Sequence, residues 1–465
     1  MSSDGDKGKG MLPPVQRLLA EETQQEKDRH FRSLYSNPPD FKQLAALDDD
    51  FAAVVQGREL DFKDPKAVMQ LSKALLKHDF SLSLELPDNR LCPPIPNRHN
   101  YILWLKDLLD STTYNASGGK LVGIDIGTGA SCIYPMLGCI QRPWSFIAAD
   151  IDDESLSWAR KNIENNHLQN RIQLVKSEPN GPIIPIQTAV NEEDLAFVMT
   201  NPPFYRSTEE MDERAAEKSL PPLTACTGAP VEMVTEGGEV AFVGRILDQS
   251  LELRGRIQWY TAMFGFLSSV TALVQRLRDN DIGNYAVTEF VQGKKTKRWA
   301  VAWSFRPMRP PQSIARGTTA NSLKGSLPAH TEMPVIDFPV FASISKFASG
   351  LQEAVGTLNT THWDWDKQKL EGVFGAADKV WTRAYRRQKQ RGMDVSPEAK
   401  DKRVKEDVGF GIYINVNIDS VVLRCRWIEG QDESAFISFA GYLKTTAKNI
   451  YNGLESSEPT KAREK

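Results

Sequence analysis

Asn201-Pro202-Pro203-Phe204 follows an apolar run from Leu195 to Met199 and lies about 75 residues after a glycine turn, Gly127-Thr128-Gly129. Residues of these types in this order suit methylation of an amino group. The exocyclic nitrogen of adenine has its lone pair delocalised into the ring, so it is a poor nucleophile until its two N–H groups are held. The Asn201 side-chain oxygen and the Pro202 carbonyl can accept those hydrogens, while Pro202 and Pro203 stiffen the turn that aims them. Phe204 can stack on the base, a contact worth roughly 1–3 kcal/mol. No general base is needed at the outset, because nitrogen attack on a methyl sulfonium makes an acidic ammonium that loses its proton afterwards. The competing reading of Asn-Pro-Pro is a turn that merely ends a strand.

The partner of this motif is Leu121-Val122-Gly123-Ile124-Asp125-Ile126, a short run rich in β-branched residues that Gly127 and Gly129 break before a second apolar stretch begins at Ala130. The pattern reads as strand, tight turn, helix, with glycines where backbone must approach a ligand. Phe146-Ile147-Ala148-Ala149-Asp150 is then a second strand tipped by an acid, 23 positions after Gly127. A carboxylate there is placed to accept the ribose hydroxyls of a nucleoside cofactor. The Asp125-x-Gly127-x-Gly129 pattern lacks the third glycine of a dinucleotide fingerprint. That favours S-adenosylmethionine, which has no pyrophosphate to cradle, over a nicotinamide cofactor.

The elements that must position these residues follow from composition and pattern. With 465 residues, 40% hydrophobic and 25% charged, the chain has room for two or three ordinary globular domains. No run of 18 apolar residues and no apolar amino terminus is present, so neither a membrane partner nor a secretory signal is expected. Five scattered cysteines (Cys92, Cys132, Cys139, Cys226, Cys425) and six dispersed histidines argue against disulfides and against a metal site. A formal net charge of −3 leaves nucleic-acid contact to local basic patches.

Residues 1–27 read as disordered, and 28–306 as the α/β domain with an added helical cap. Within that domain three helices are expected between Asp61 and Asp110, a helix after an Asp152 or Asp153 cap, strands at Ile172–Val175 and Leu195–Met199, and a helix from Leu247 to about Leu277. Residues 205–238 read as a long loop, a lid or binding segment. Tyr285–Val291 and Trp299–Phe305 read as a hairpin with a basic tip containing Lys294, Lys295 and Arg298. Residues 307–334, rich in Pro, Ser, Thr and Gly, read as a linker. A smaller α+β domain is expected over 335–452, with helical runs to about Arg391, strands at Gly411–Ile418 and Ser420–Trp427, an apolar helix from Ala435 to Ile450, and a disordered tail over 453–465. Between residues 379 and 405 ten Lys/Arg stand against three Asp/Glu. With Trp381 and Tyr385 interleaved, Arg383, Arg386 and Arg387 become candidate RNA contacts rather than a plain solvated face.

Six segments carry a resemblance: Pro38-Pro39-Asp40-Phe41, Asp61-Phe62-Lys63-Asp64-Pro65, Arg98-x-Asn100-Tyr101, the run from Gly123 to Pro135, Asn201-Pro202-Pro203-Phe204, and the run from Arg298 to Phe305. Over about residues 28–306 they resemble the methyltransferase-like protein 16 family, which includes adenine-N6 methyltransferases of U6 small nuclear RNA and has bacterial relatives acting on large-subunit ribosomal RNA. The resemblance implies a Rossmann-like fold that uses S-adenosylmethionine, a structured RNA partner rather than DNA, and a nuclear location, with the cytoplasm as the alternative. It implies cofactor contacts at Arg98, Gly127, Asp150 and Asn201, with Asp150 standing where animal members have Glu. A further cofactor-contacting hydroxyl of the family falls near Gly181. Lys295 and Arg298 match basic RNA contacts, and Arg29 and Arg32 correspond loosely to a basic amino-terminal arm. The second domain is similar to the kinase-associated-1-like RNA-binding module of vertebrate members.

Two other functions fit parts of the chain. A protein-glutamine N5-methyltransferase holds an amide by the same device, but such enzymes usually carry Tyr where Phe204 stands and have no use for the basic tip. A catalytically silent RNA-binding protein would have no need for Gly127, Asp150 and the Asn201–Phe204 motif together.

Overall fold

The computed structural model describes residues 23–57, 59–114, 118–189, 195–217, 228–292, 296–318, 320–390 and 407–457. The chain divides into two units. One runs as far as Ile282 and includes Val287–Phe305, and the other takes Gly283–Ala286 and the chain from Arg306.

The first unit has helices α1 (Gln24–Ser33), α2 (Pro65–Phe80), α3 (Ile95–Asp110), α4 (Ile133–Gln141), α5 (Asp153–Asn165), α6 (Gly238–Leu253) and α7 (Leu267–Asp279). Its strands are β1 (Val122–Ile126), β2 (Ser145–Asp150), β3 (Ile172–Lys176), β4 (Leu195–Thr200), β5 (Ile257–Phe264), β6 (Tyr285–Gln292) and β7 (Thr296–Trp303). They lie in the order β6–β7–β5–β4–β1–β2–β3. From β5 to β3 the neighbours are parallel, while β7 is antiparallel to β5. A strand covered on both faces must be apolar throughout, and all six residues of β4 are buried. The order reverses between β1 and β4, the place where an open α/β sheet binds its ligand. Ile126 and Thr200 are register partners, so Gly127 and Asn201 leave neighbouring strands at the same level. The Thr200 hydroxyl donates to the Ile126 carbonyl at 2.8 Å and fixes that level.

In the helical cap, α3 carries Arg98 in its first turn. Ser81 to Pro94 forms no helix, so the cap has two long helices in this stretch rather than three. Its backbone is held by α5 instead. Asn166 pairs with both the N–H and the carbonyl of Ser83, and Asn162 does the same for Glu85, at 2.8–2.9 Å. The α1 helix starts at Gln24, inside the stretch read as disordered, because Thr23 and Glu26 form a capping box; residues 1–22 lie outside the described residues.

Other expectations change as well. The run from Leu247 to Leu277 is not one helix. Arg254–Arg256 ends α6, the aromatic stretch Ile257–Phe264 becomes the central strand β5, and α7 follows. The expected loop over 205–238 contains helices at Thr208–Glu217 and Pro230–Met233, with residues 218–227 outside the described set.

The second unit contains β8 (Glu332–Pro339), α8 (Ile344–Gly356), β9 (His362–Asp366), β10 (Glu371–Ala376), α9 (Arg383–Gln390), β11 (Val408–Val416), β12 (Ser420–Glu429) and α10 (Glu433–Ser457). The antiparallel sheet runs β8–β12–β11–β10–β9. Alternate residues of β12 (Val421, Leu423, Cys425, Trp427) join Phe347 and Leu351 of α8 and Phe436, Phe439 and Leu443 of α10 in one core. The segment read as a linker is structured, with a short helix at Gln312–Ala315, a 3₁₀ turn at Asn321–Ser326 and the start of β8. Burial of Arg309, Ala315, Leu323 and Leu327 outweighs its turn-rich composition. The tail read as disordered from 453 begins inside α10. Trp381 is 2% exposed, against Phe374, Phe410 and Phe439, and its Nε1 donates to Ser438 Oγ, so it belongs to the core and offers no stacking face to RNA. Among the described residues no helix is long and apolar enough to cross a membrane.

Candidate active site

At the strand-order reversal lies a cavity of about 310 Å³. Its floor is the turn after β1. Gly127 and Gly129 have φ of +72° and +64°, a region that side chains strain to enter. A Cβ at Gly127 would meet nothing within 4 Å, so here glycine is required by conformation and leaves open space beside the backbone. The Gly127 and Thr128 N–H groups both donate to the Ala149 carbonyl, anchoring the turn over β2.

Asp150, at the end of β2, lines the cavity. Its two oxygens accept from the Gly129 N–H at 2.8 Å and the Asp152 N–H at 2.9 Å. Burial pushes its carboxyl above the usual range while these two bonds pull it back. The carboxylate, with about four lone-pair sites, keeps capacity for a hydroxyl. Asp125 lies beneath the turn, fully buried and outside the cavity wall. Burial raises its pKa to about 7; the Thr128 hydroxyl and Arg98 oppose the rise and Asp150 adds to it. Among the described residues no donor meets either Asp125 oxygen in hydrogen-bond geometry. Arg98 reaches the cavity from α3, its guanidinium donating to the Tyr134 hydroxyl at 3.0 Å.

Asn201, Pro202 and Pro203 form the wall that continues β4. The Asn201 Oδ1 is buried and has no hydrogen-bond partner among the described residues. A buried acceptor left unpaired costs about 1–3 kcal/mol, which a bound donor recovers. Phe204 follows with its ring beside Gly265, edge-on to Phe266 at 6.5 Å, and with the Arg298 guanidinium 5.2 Å above it.

Sequence reasoning missed part of the wall. Ser177 supplies a hydroxyl after β3, and Asn180 lies close by, whereas Gly181 is not in the wall and instead offers its carbonyl to Arg245. Glu232 also lines the cavity, with one oxygen accepting from the Ala229 and Leu91 N–H groups; the Pro-Val-Glu start of its short helix was the available signal. Of the basic residues singled out, Arg298 is half-buried over Phe204 and Arg29 is exposed. Arg32 is tied to Asp107, docking α1 on α3. Lys294 and Lys295 lie outside the described residues. In the second unit Arg383, Arg386 and Arg387 are exposed on α9.

Residues 23–307 match the family model described as RNA methyltransferase. The chain belongs to that family. It is 36% identical over 389 residues to the U6 small nuclear RNA (adenine-(43)-N(6))-methyltransferase of Schizosaccharomyces pombe, covering 84% of this chain and 95% of the relative. To the RNA N(6)-adenosine-methyltransferase METTL16 of Homo sapiens it is 41% identical over 288 residues, covering 60% of this chain and 51% of the relative, so it spans about half the length of that protein. The hMettl16 catalytic domain in complex with the MAT2A 3'UTR hairpin 1 superposes with a TM-score of 0.54 at 41% identity, covering 59% of this chain and 94% of that chain. Membership makes S-adenosylmethionine the cofactor and sets the glutamine reading aside. The open glycine turn, the spare lone pairs of Asp150 and the buried, unpaired oxygen of Asn201 fit a ligand rich in hydroxyl and N–H donors, whereas Asp125 lies behind the wall and touches no such ligand directly.

Proposed function

We propose that this chain methylates N6 of an adenosine in U6 small nuclear RNA, using S-adenosylmethionine, in the nucleus. The unpaired Asn201 Oδ1 at the tip of β4, level with the glycine turn, carries this reading. In it Asp150 accepts ribose hydroxyls, Arg98 pairs with the cofactor carboxylate, and the turn at Gly127–Gly129 lets the cofactor lie against backbone. The bound cofactor supplies an electrophilic methyl group on a sulfonium. The Asn201 oxygen and the Pro202 carbonyl accept the two N6 hydrogens, turning the nitrogen lone pair out of the ring, and Phe204 stacks on the base. Nitrogen forms the new N–C bond as the S–C bond breaks, and the extra proton leaves to water. Lys294, Lys295, Arg298 and the α9 arginines hold the RNA backbone.

The test is methyl transfer from radiolabelled S-adenosylmethionine to a U6-like hairpin, a ribosomal RNA fragment and a glutamine peptide. Label in N6-methyladenosine of the U6-like hairpin is expected. Preferential labelling of either of the other two contradicts the substrate assignment.

A further inference from the structure

Phe204 stacks on nothing unless its own position is set, and the structure shows what sets it. The ring lies against Gly265, so closely that a Cβ there would sit 3.1–3.3 Å from three ring atoms. Gly265 and Phe266 form the turn between β5 and α7, and no side chain of that turn caps α7. The turn is held from another element. Glu239, in the first turn of α6 and 1% exposed, accepts the Gly265 N–H at 2.7 Å with one oxygen and the Phe266 N–H at 3.0 Å with the other. Its charge also faces Arg298, whose guanidinium lies 5.2 Å from the Phe204 ring. Burying a carboxylate is costly, and hydrogen bonds of this kind are what offset it.

We propose that Glu239 is a positioning residue for the target adenine: by clamping the Gly265–Phe266 turn it fixes the shelf on which the Phe204 ring rests, and through Phe204 the base itself. This rests on the assignment of Phe204 as the stacking residue. Two readings of the same carboxylate then differ in consequence. An anchor for α7 alone affects stability. A clamp on the shelf affects base stacking and turnover while leaving the cofactor cavity, whose wall contains neither Glu239 nor Gly265, as it was.

Full-length chain is mixed with a U6-like hairpin carrying 2-aminopurine in place of the target adenosine, whose fluorescence falls on stacking. Glu239→Ala, Glu239→Gln, Gly265→Ala and Phe204→Ala are compared with the parent for quenching, for kcat and KM toward unmodified RNA, and for S-adenosylmethionine affinity by calorimetry. Glu239→Ala is expected to relieve the quenching and to lower kcat/KM by about 100-fold, the scale of an ångström-sized misplacement, and Gly265→Ala, which presses the ring aside by only a few tenths of an ångström, to move both in the same direction by less. Cofactor affinity should stay within about threefold, and Glu239→Gln, which keeps one acceptor, should fall between parent and Ala. Gly265→Ala leaves Glu239 in place and tests the shelf alone, and Glu239→Gln, which keeps the size of the side chain, tests the clamp where Glu239→Ala does not fold. Quenching and turnover equal to the parent in Gly265→Ala and in folded Glu239→Ala, alongside a defective Phe204→Ala, overturn the proposal and spare the stacking assignment. An unaffected Phe204→Ala overturns the stacking assignment, and the shelf with it.

Discussion

Asp125 is the acid at which the site's cost is most visible. A carboxyl raised from 3.8 to about 7 by burial holds its proton more tightly in the folded chain than in the unfolded one. The folded state is therefore favoured at low pH, and that advantage is lost as pH rises from about 4 through about 7. Asp125→Asn removes the ionisation. In the cofactor-free protein the stability of Asp125→Asn relative to the parent should climb across that window and level off above it, as read from denaturant midpoints at a series of pH values. Parallel curves would mean that Asp125 titrates normally. The residues of the site were readable where the chemistry is local: the glycine turn, the acid-tipped strand and Asn201–Phe204 are contiguous motifs. Glu239 was not, because its partners lie 26 and 27 positions away and nothing in its neighbours announces them.

β1 and β4 bring the two motifs together, and their glycines separate two kinds of requirement. A Cβ on Gly123 would sit 2.1 Å from the Phe197 ring on β4, an overlap that backbone must move to relieve. On Gly127 it would meet open space, and only the positive φ resists it. Gly123→Ala should thus destabilise by about 3 kcal/mol or more, in the range of severe overpacking. Gly127→Ala should cost only about 1–2 kcal/mol, and both follow from thermal or denaturant unfolding. Equal losses would place the strain elsewhere. Strands with β-branched, uninterrupted apolar runs were legible for the same packing reason. β5 was not, since helix-like sequence on both sides ran into its aromatic stretch across only Arg254–Arg256. β9 and β10 were hidden by Trp-Asp alternation and by glycines at 372 and 375, which exist to admit close neighbours: Trp365 packs where a Gly372 side chain would be.

Of the two units, one carries the cavity and the other presents arginines on α9. Trp381 lies in the core of the second unit, while Tyr385 stands half-buried among the α9 arginines. Replacing Arg383, Arg386 and Arg387 together by Ala in the full chain should lower RNA affinity and reduce the log–log salt slope by about 2–3, at roughly 0.7–0.9 per phosphate contact. Turnover at saturating RNA should persist. An unchanged slope would reduce α9 to a solvated face.

If the unpaired Asn201 oxygen holds the adenine amine, Asn201→Ala removes the hold and nothing else of the cavity wall. Nucleoside mass spectrometry after reaction with a U6-like hairpin should find N6-methyladenosine with the parent chain and none with the variant, while calorimetry finds S-adenosylmethionine affinity within about tenfold. Near-parental methylation by Asn201→Ala would show that another group holds the amine.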